Sequence, residues 1–69
     1  MEYVIVIEEG NDGSFSAYVP DLPGCVSCGD TLDELRHNIR DAVHLHLESL
    51  RDHGEPIPKP ISRTETVAA

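Results

Sequence analysis

The segment Tyr18–Thr31 constrains most strongly how this chain can fold. Pro20 and Pro23 lack a backbone N–H donor and fix φ, so each limits how far a strand can continue. Gly24 and Gly29 can adopt positive φ, which allows sharp turns beside those prolines. We therefore expect a strand, a rigid loop, a short strand and the start of a helix in close succession.

The helix is predicted from Leu32 to about Asp52. Thr31 and Glu34 fit a capping box. In this motif the Thr31 hydroxyl accepts a hydrogen bond from the Glu34 amide, and the Glu34 side chain reaches back to the Thr31 amide. Gly54 suits the left-handed residue that commonly follows a helix. One face of the helix carries the apolar positions expected to cover a sheet, which are Leu32, Leu35, Ile39, Val43, Leu47 and Leu50.

Three strands are predicted before this helix. The β-branched run Tyr3–Ile7 indicates a strand that is buried on both faces or central in its sheet. Residues 10–13 contain Asp-Gly and predict a hairpin turn into an alternating strand over 14–19. Residues 25–28 are predicted to continue the antiparallel meander. The fold class is therefore α+β, with three antiparallel strands covered by one long helix.

The C-terminal part of the chain is rich in proline and differs in composition from this core. We expect a single domain over residues 1–69, with a βββα core over 1–54 and a proline-rich connector over 55–60. Residues 61–67 contain Thr, Ile and Val and are predicted to form a weak fourth strand. This strand would pair at an edge of its own sheet or cross to a neighbouring protomer.

Composition limits the partners and the core. The chain has 69 residues, no Trp, one Phe and two Tyr, so the core must be aliphatic and thin. Such a chain gains from self-association, and we expect a homo-oligomer, either a dimer or a tetramer. The formal net charge of −8 argues against nucleic-acid binding by the chain alone and favours a basic partner. Solubility alone would also explain the charge.

The positions of the two cysteines and the hydropathy of the chain argue against redox, zinc-binding and membrane proteins. Cys25 and Cys28 are predicted to lie on opposite faces of a short strand, so they fit neither a redox pair nor a complete zinc site. No apolar run reaches membrane-spanning length and no signal peptide precedes the first strand, which predicts a cytoplasmic protein with no membrane contact.

The helix carries the only polar cluster that suggests metal chemistry. Imidazole and carboxylate groups at helical spacing can converge on a divalent cation, and here they are His37, Asp41, His44 and Glu48. A solvated helix face is the commoner explanation, and we expect no metal or other cofactor. His46 lies within the apolar stripe, either bonded to a backbone carbonyl or placed at a pH-sensitive subunit contact. Leu45 lies on the polar side, as an exposed residue or a contact anchor.

Catalytic patterns are missing, because no serine has a glycine-flanked nucleophile context and no phosphate-binding glycine loop occurs. The chain instead resembles the HicB-like antitoxin family. The resemblance is carried by residues 3–8, by the run from Gly13 to Cys25, by 29–34, by 38–42 and by 54–58. It covers nearly the whole chain, and the order Tyr-Val-Pro-Asp-Leu-Pro-Gly-Cys over residues 18–25 is specific.

The resemblance implies a partial, catalytically degenerate RNase H-like fold. It also implies a non-enzymatic antitoxin of a type II toxin–antitoxin system, which binds a small basic HicA-type ribonuclease and covers its active surface. Many members carry a C-terminal DNA-binding domain, whereas this chain ends two residues after Val67. We therefore expect no DNA contact by this chain.

Three hypotheses follow from these observations. The first is an antitoxin-like inhibitor, with partner-binding candidates at Asp21, Leu22, Pro23, Gly24, Leu45 and Glu48. The second is a protein-binding or scaffold module that uses an exposed strand edge for strand addition. The third is a hydrolase or metal protein built on the helix cluster.

Overall fold

A computed structural model describes residues 1–69 and contains three strands followed by one helix. The strands are β1 (Val6–Glu9), β2 (Phe15–Tyr18) and β3 (Val26–Gly29), and the helix is α1 (Leu32–Asp52). The sheet is antiparallel with the order β1-β2-β3. The predicted α+β meander with one long helix is therefore confirmed.

β1 differs from its prediction in both length and place. The strand begins at Val6, lies at an edge of the sheet and has mostly exposed residues, so it is neither central nor buried on both faces, and the prediction is wrong. β2 cannot extend the ladder towards Tyr3, because the Val19 amide donates to the Cys25 carbonyl at 3.1 Å and Pro20 has no amide hydrogen. The helix packs on β3 and β2, which leaves Ile7 39% exposed.

The core lies between the helix and the inner face of β2. Ala17 and Val19 project inward as the alternation predicts, and Leu35 of the helix is completely buried among them. The other buried members are Leu22, Cys25, Ile39 and Leu47. Eight residues of 69 are buried, so the core is as small as the composition predicts.

Local signals define both ends of the helix. The Thr31 hydroxyl accepts a hydrogen bond from the Glu34 amide at 3.1 Å, which confirms the cap. The Glu34 carboxylate reaches one residue further back than predicted and accepts from the Asp30 amide at 3.3 Å. Gly54 has a φ of 65° and ends the helix in the left-handed region. The amide of Glu55 closes the last turn on the Leu50 carbonyl at 2.8 Å.

Gly29 connects the sheet to the helix by close approach rather than by positive φ. A Cβ atom at this position would lie 2.7 Å from the backbone nitrogen of Leu35. Asn38 strengthens the same junction, because its side-chain amide donates to the Cys28 carbonyl at 2.9 Å. The first two turns of the helix are therefore fixed directly on β3.

Residues 61–67 form no strand in the structure, so the predicted fourth strand is wrong for the single chain. Pro56, Pro58 and Pro60 remove backbone donors before this segment, and Ser62 is bonded to the β2–β3 loop instead of a sheet edge. The connector packs on the body through Ile57 and through the Tyr3 hydroxyl, which donates to the Pro58 carbonyl. Residues 63–69 are exposed throughout.

Candidate partner-binding surface

The loop over residues 20–24 is a compact turn fixed by main-chain hydrogen bonds. The Leu22 amide donates to the Val19 carbonyl at 3.1 Å, and the Cys25 amide donates to the Leu22 carbonyl at 3.0 Å. Gly24 adopts a φ of 85°, as its position after Pro23 predicts. The loop therefore has one defined shape, and it exposes Pro23 and Gly24.

Leu22 cannot contact a partner, because its side chain is 0% exposed. The sequence-based choice of Leu22 as a binding residue is therefore corrected. Leu22 instead holds the loop on the core, which keeps Pro23 and Gly24 at the surface. A loop residue between two turn formers gives no periodic signal for burial, so this role could not be recognised from the sequence.

Asp21 is occupied within the chain. Its carboxylate accepts two hydrogen bonds from Ser62, one from the backbone amide at 3.0 Å and one from the hydroxyl at 2.8 Å. These two bonds hold the C-terminal segment against the loop, and the Asp21 side chain is half-buried at this contact. Ser62 was not recognised from the sequence, because nothing local to it indicates a partner so distant along the chain.

The exposed side of the helix combines an apolar residue with carboxylates. Leu45 is 65% exposed, and Asp41 and Glu48 lie four residues before it and three residues after it on the same face. We call Asp41, Leu45 and Glu48 the Leu45 patch. Protein interfaces commonly have an apolar core surrounded by a polar rim, and the Leu45 patch has this arrangement on a small scale.

The metal candidates do not form a site. His37 Nε2 lies 3.3 Å from Asp41 Oδ2, but no group of three or more ligating side chains comes together. The four candidates extend over three turns, or about 16 Å of helix axis, which is too long for one ion. His46 is half-buried, and the histidine that meets a backbone carbonyl is His53, whose Nδ1 lies 2.7 Å from the Ser49 oxygen.

The two cysteines are free and differ in environment. Cys25 is buried and Cys28 is exposed, as expected for opposite faces of a short strand. Burial raises the pKa of the Cys25 thiol above its ordinary value because the thiolate would lose solvation. A thiol of this kind is a poor nucleophile at neutral pH.

Basic side chains, in contrast to the carboxylates of the Leu45 patch, lie on another flank of the helix. An open groove of about 450 Å³ lies between residues 1–5 and the helix, with Arg36, Arg40 and His44 along it. Arg36 is already paired with Asp33 at 3.1 Å. Arg36 and Arg40 therefore lie on a different side of the helix from the Leu45 patch.

An apolar row on the sheet was not recognised from the sequence. Val6, Tyr18 and Val26 stand opposite one another in the sheet register and point away from the helix. Val26 is 64% exposed, so this apolar row is uncovered. The outer edge of β1 is also unpaired, which provides the exposed strand edge that the scaffold hypothesis requires.

No helix of the structure combines the length and the apolar character needed to cross a membrane.

The Asp12 carboxylate, in the β1–β2 turn, accepts hydrogen bonds from the hydroxyl of Ser14 at 2.6 Å and from its amide at 3.1 Å. These bonds lower the pKa of Asp12, with the hydroxyl as the main cause. The turn is stabilised locally, and we assign no chemistry to it.

Comparison with known proteins gives a consistent result. The model of the HicB-like antitoxins of bacterial toxin–antitoxin systems matches residues 3–69. A UPF0150 protein of Thermoplasma acidophilum is 39% identical over 69 residues, which is the full length of both chains. An uncharacterized protein of Haemophilus phage HP1 is 46% identical over 86% of this chain but only 44% of its own length.

Two solved structures share the fold. The N-terminal domain of the Burkholderia pseudomallei antitoxin HicB is 33% identical, with a TM-score of 0.82 over 91% of this chain and 74% of that chain. A chain in a complex of the toxin HicA3 with the antitoxin HicB3 is 34% identical, with a TM-score of 0.74 over 88% of this chain and 70% of that chain.

Proposed function

The chain belongs to the HicB-like antitoxin family, and we propose that it binds a HicA-type toxin and inhibits it by covering the toxin's active surface. The observation that carries this proposal is the match over residues 3–69 together with the likeness to a chain in a toxin–antitoxin complex. The family resemblance describes the toxin as a small basic ribonuclease.

Charge supports a basic partner. The chain carries 13 acidic side chains against five Lys and Arg, which gives a formal net charge of −8. Opposite net charges accelerate the encounter of two proteins and favour the correct orientation, and both effects weaken as salt is added. A basic toxin is therefore attracted to the acidic side of the helix.

The Leu45 patch is the part of the helix that we assign to the toxin. Leu45 provides an exposed apolar side chain, and Asp41 and Glu48 provide the acidic surroundings. Burial of Leu45 on association stabilises the complex, while the carboxylates pair with Lys or Arg of the toxin. The rigid loop contributes Pro23 and Gly24, and Asp21 contributes indirectly by holding Ser62.

Inhibition by coverage requires no chemistry from this chain. The structure brings no three ligating side chains together, and burial raises the pKa of the Cys25 thiol, which favours its neutral form. We therefore propose that the chain is not an enzyme. Its effect on the toxin is then steric and electrostatic, and it scales with the fraction of toxin bound.

The location of the binding surface is tested by calorimetric titration of a HicA-type toxin from the same genome with purified protein. We expect Leu45→Ala to weaken binding about tenfold, which corresponds to about 1.4 kcal/mol of lost apolar burial. Combining Glu48→Lys with Leu45→Ala weakens binding further, and this added loss shrinks at high salt.

Val26→Ala provides a matched control, because Val26 is 64% exposed and Leu45 is 65% exposed. Val26 lies on the sheet face away from the helix, so this variant binds the toxin as the wild type does. A loss of affinity confined to Val26→Ala would move the binding surface to the sheet. An absence of binding by the wild-type protein would reject the proposed function.

A further inference from the structure

The groove beside residues 1–5 exposes one side of the core. The helix packs on β3 and β2 but not on β1, so an open space of about 450 Å³ remains between the helix and the N-terminal residues. Its floor is aliphatic and consists of Ile5, Ile39, Val43 and Leu47. Two of these belong to the buried core and the other two pack against it. The floor is therefore a fixed apolar surface, and the groove has the volume of a small-molecule site.

One cationic side chain borders this floor without a partner. Arg36 is paired with Asp33, and the only other ion pair of the structure joins His37 to Asp41. Arg40 forms neither an ion pair nor a hydrogen bond, although the chain carries 13 acidic side chains. None of its N–H donors is used within the chain. The guanidinium presents them in the planar fork that fits a carboxylate.

The other charges around the groove limit the charge of its occupant. His44 follows Arg40 by one helical turn and lines the groove on the same side. Glu2 is the one carboxylate in the lining, and it disfavours a ligand with several negative charges. The formal net charge of −8 acts in the same direction, because it repels nucleic acids and strongly acidic proteins. The occupant that fits is therefore small and carries a single negative charge.

The length and chemistry of the floor define the rest of the ligand. Residues 36–47 extend about 16 Å along the helix axis, and an extended chain of ten carbons is about 11 Å long. Tyr3 is the only aromatic residue in the lining, and its hydroxyl already donates to the Pro58 carbonyl. The floor thus offers aliphatic contact rather than ring stacking, which suits an alkyl chain.

From these observations we propose that the groove binds an amphipathic monocarboxylate, namely a fatty acid anion of about eight to ten carbons. The carboxylate accepts paired hydrogen bonds from the Arg40 guanidinium. The alkyl chain covers Ile39, Val43 and Leu47 and removes their exposed apolar surface from water. Arg40 lies on a different side of the helix from the Leu45 patch, so this proposal is independent of the toxin and stands or fails separately.

Titration of isotope-labelled protein with decanoate, followed by NMR, tests the proposal. We expect saturable one-to-one binding that shifts the amides of residues 3–5 and 39–47 and leaves Val26 unchanged. Octanoate should bind about fourfold more weakly, because it lacks two methylene groups that are half-covered in an open groove. Decylammonium has the same tail and the opposite charge. The net charge of the chain attracts this cation, so a preference for decanoate isolates the effect of the groove.

A pair of arginine variants identifies the group that binds the carboxylate. Arg40→Gln removes the charge but keeps a long polar side chain, and it should weaken decanoate binding about tenfold. Arg51→Gln is the matched control, because Arg51 is exposed on the same helix and does not line the groove. This control should bind decanoate as the wild type does. Circular dichroism checks folding, which we expect both variants to retain because both positions are exposed.

Several results would overturn the proposal. They are the absence of saturable decanoate binding by the wild-type protein, tighter binding of decylammonium than of decanoate, and equal affinity of Arg40→Gln and the wild type for decanoate. Amide shifts confined to the apolar row of Val6, Tyr18 and Val26 would place the ligand on the sheet and would overturn it as well.

Discussion

The carboxylate of Asp21 binds both the backbone amide and the hydroxyl of Ser62, 41 residues later in the chain. This contact joins the loop after β2 to the first residues beyond the proline-rich connector. The Asp21 carboxylate is therefore occupied by a contact within the chain. The loop and the C-terminal segment are therefore one structural unit rather than two independent features.

Asp21→Ala is expected to lower the free energy of unfolding by about 1–2 kcal/mol, because two hydrogen bonds to a half-buried charged acceptor are lost. Ser62→Ala removes only the hydroxyl bond and costs about 1 kcal/mol or less. Urea denaturation measures both values, and hydrogen exchange at the Ser62 amide reports the contact directly. Equal protection of that amide in Asp21→Ala and in the wild type would contradict the assignment.

Gly29→Ala is expected to be strongly destabilising, by about 3 kcal/mol or more, because the new methyl group would meet the backbone nitrogen of Leu35 at 2.7 Å. Gly54→Ala is the comparison, since no atom lies within 4 Å of its Cβ position and only the positive φ is unfavourable. It should cost about 1 kcal/mol. Thermal and urea unfolding of both variants would refute the packing argument if the order were reversed.

Stability should decline at alkaline pH through Cys25. Its pKa is raised in the folded state, so the folded protein favours the neutral thiol. The stabilisation from this group is complete below the unfolded pKa and is lost as pH rises through the folded value. Unfolding by urea at about pH 8 and about pH 10 measures the decline.

Cys25→Ala serves as the control for that decline, because other groups also titrate at alkaline pH. The variant should be less stable at about pH 8 but lose less on going to about pH 10. A thiol reagent should modify the exposed Cys28 first and reach Cys25 only on unfolding. Equal pH dependence in the variant and the wild type would show that burial of the thiol is unimportant.

Leu22 and Leu45 should separate stability from binding. Leu22→Ala leaves a cavity beneath the loop and is expected to cost about 2–5 kcal/mol. Leu45→Ala removes an exposed side chain and should change stability by no more than about 0.5 kcal/mol. Urea denaturation of the two variants measures the difference. Comparable losses in both would mean that Leu45 is covered in solution.

The helix was predictable from sequence because its signals are local. Thr31 and Glu34 lie within one turn of each other, the apolar stripe repeats at the helical period, and Gly54 directly follows the end. The inward positions of β2 were predictable for the same reason, since alternation over a few residues determines which side chains share a face.

Features that depend on distant contacts were not predictable. The apolar run Tyr3–Ile7 is typical of an interior strand, and nothing local shows that the helix covers β2 and β3 but not β1. The burial of Leu22 and the partner of Asp21 depend equally on segments brought together only by folding. The likeness to an RNase H fold, the oligomeric state and the toxin-binding residues stay predictions.

The central claim is that this chain inhibits a toxin by covering it. The most direct measurement is RNA cleavage by a HicA-type toxin from the same genome, titrated with purified protein. We predict that cleavage falls in proportion to the antitoxin added and stops when the toxin is saturated, with Leu45→Ala shifting the curve to higher concentration. Undiminished cleavage in the presence of saturating protein would contradict the account.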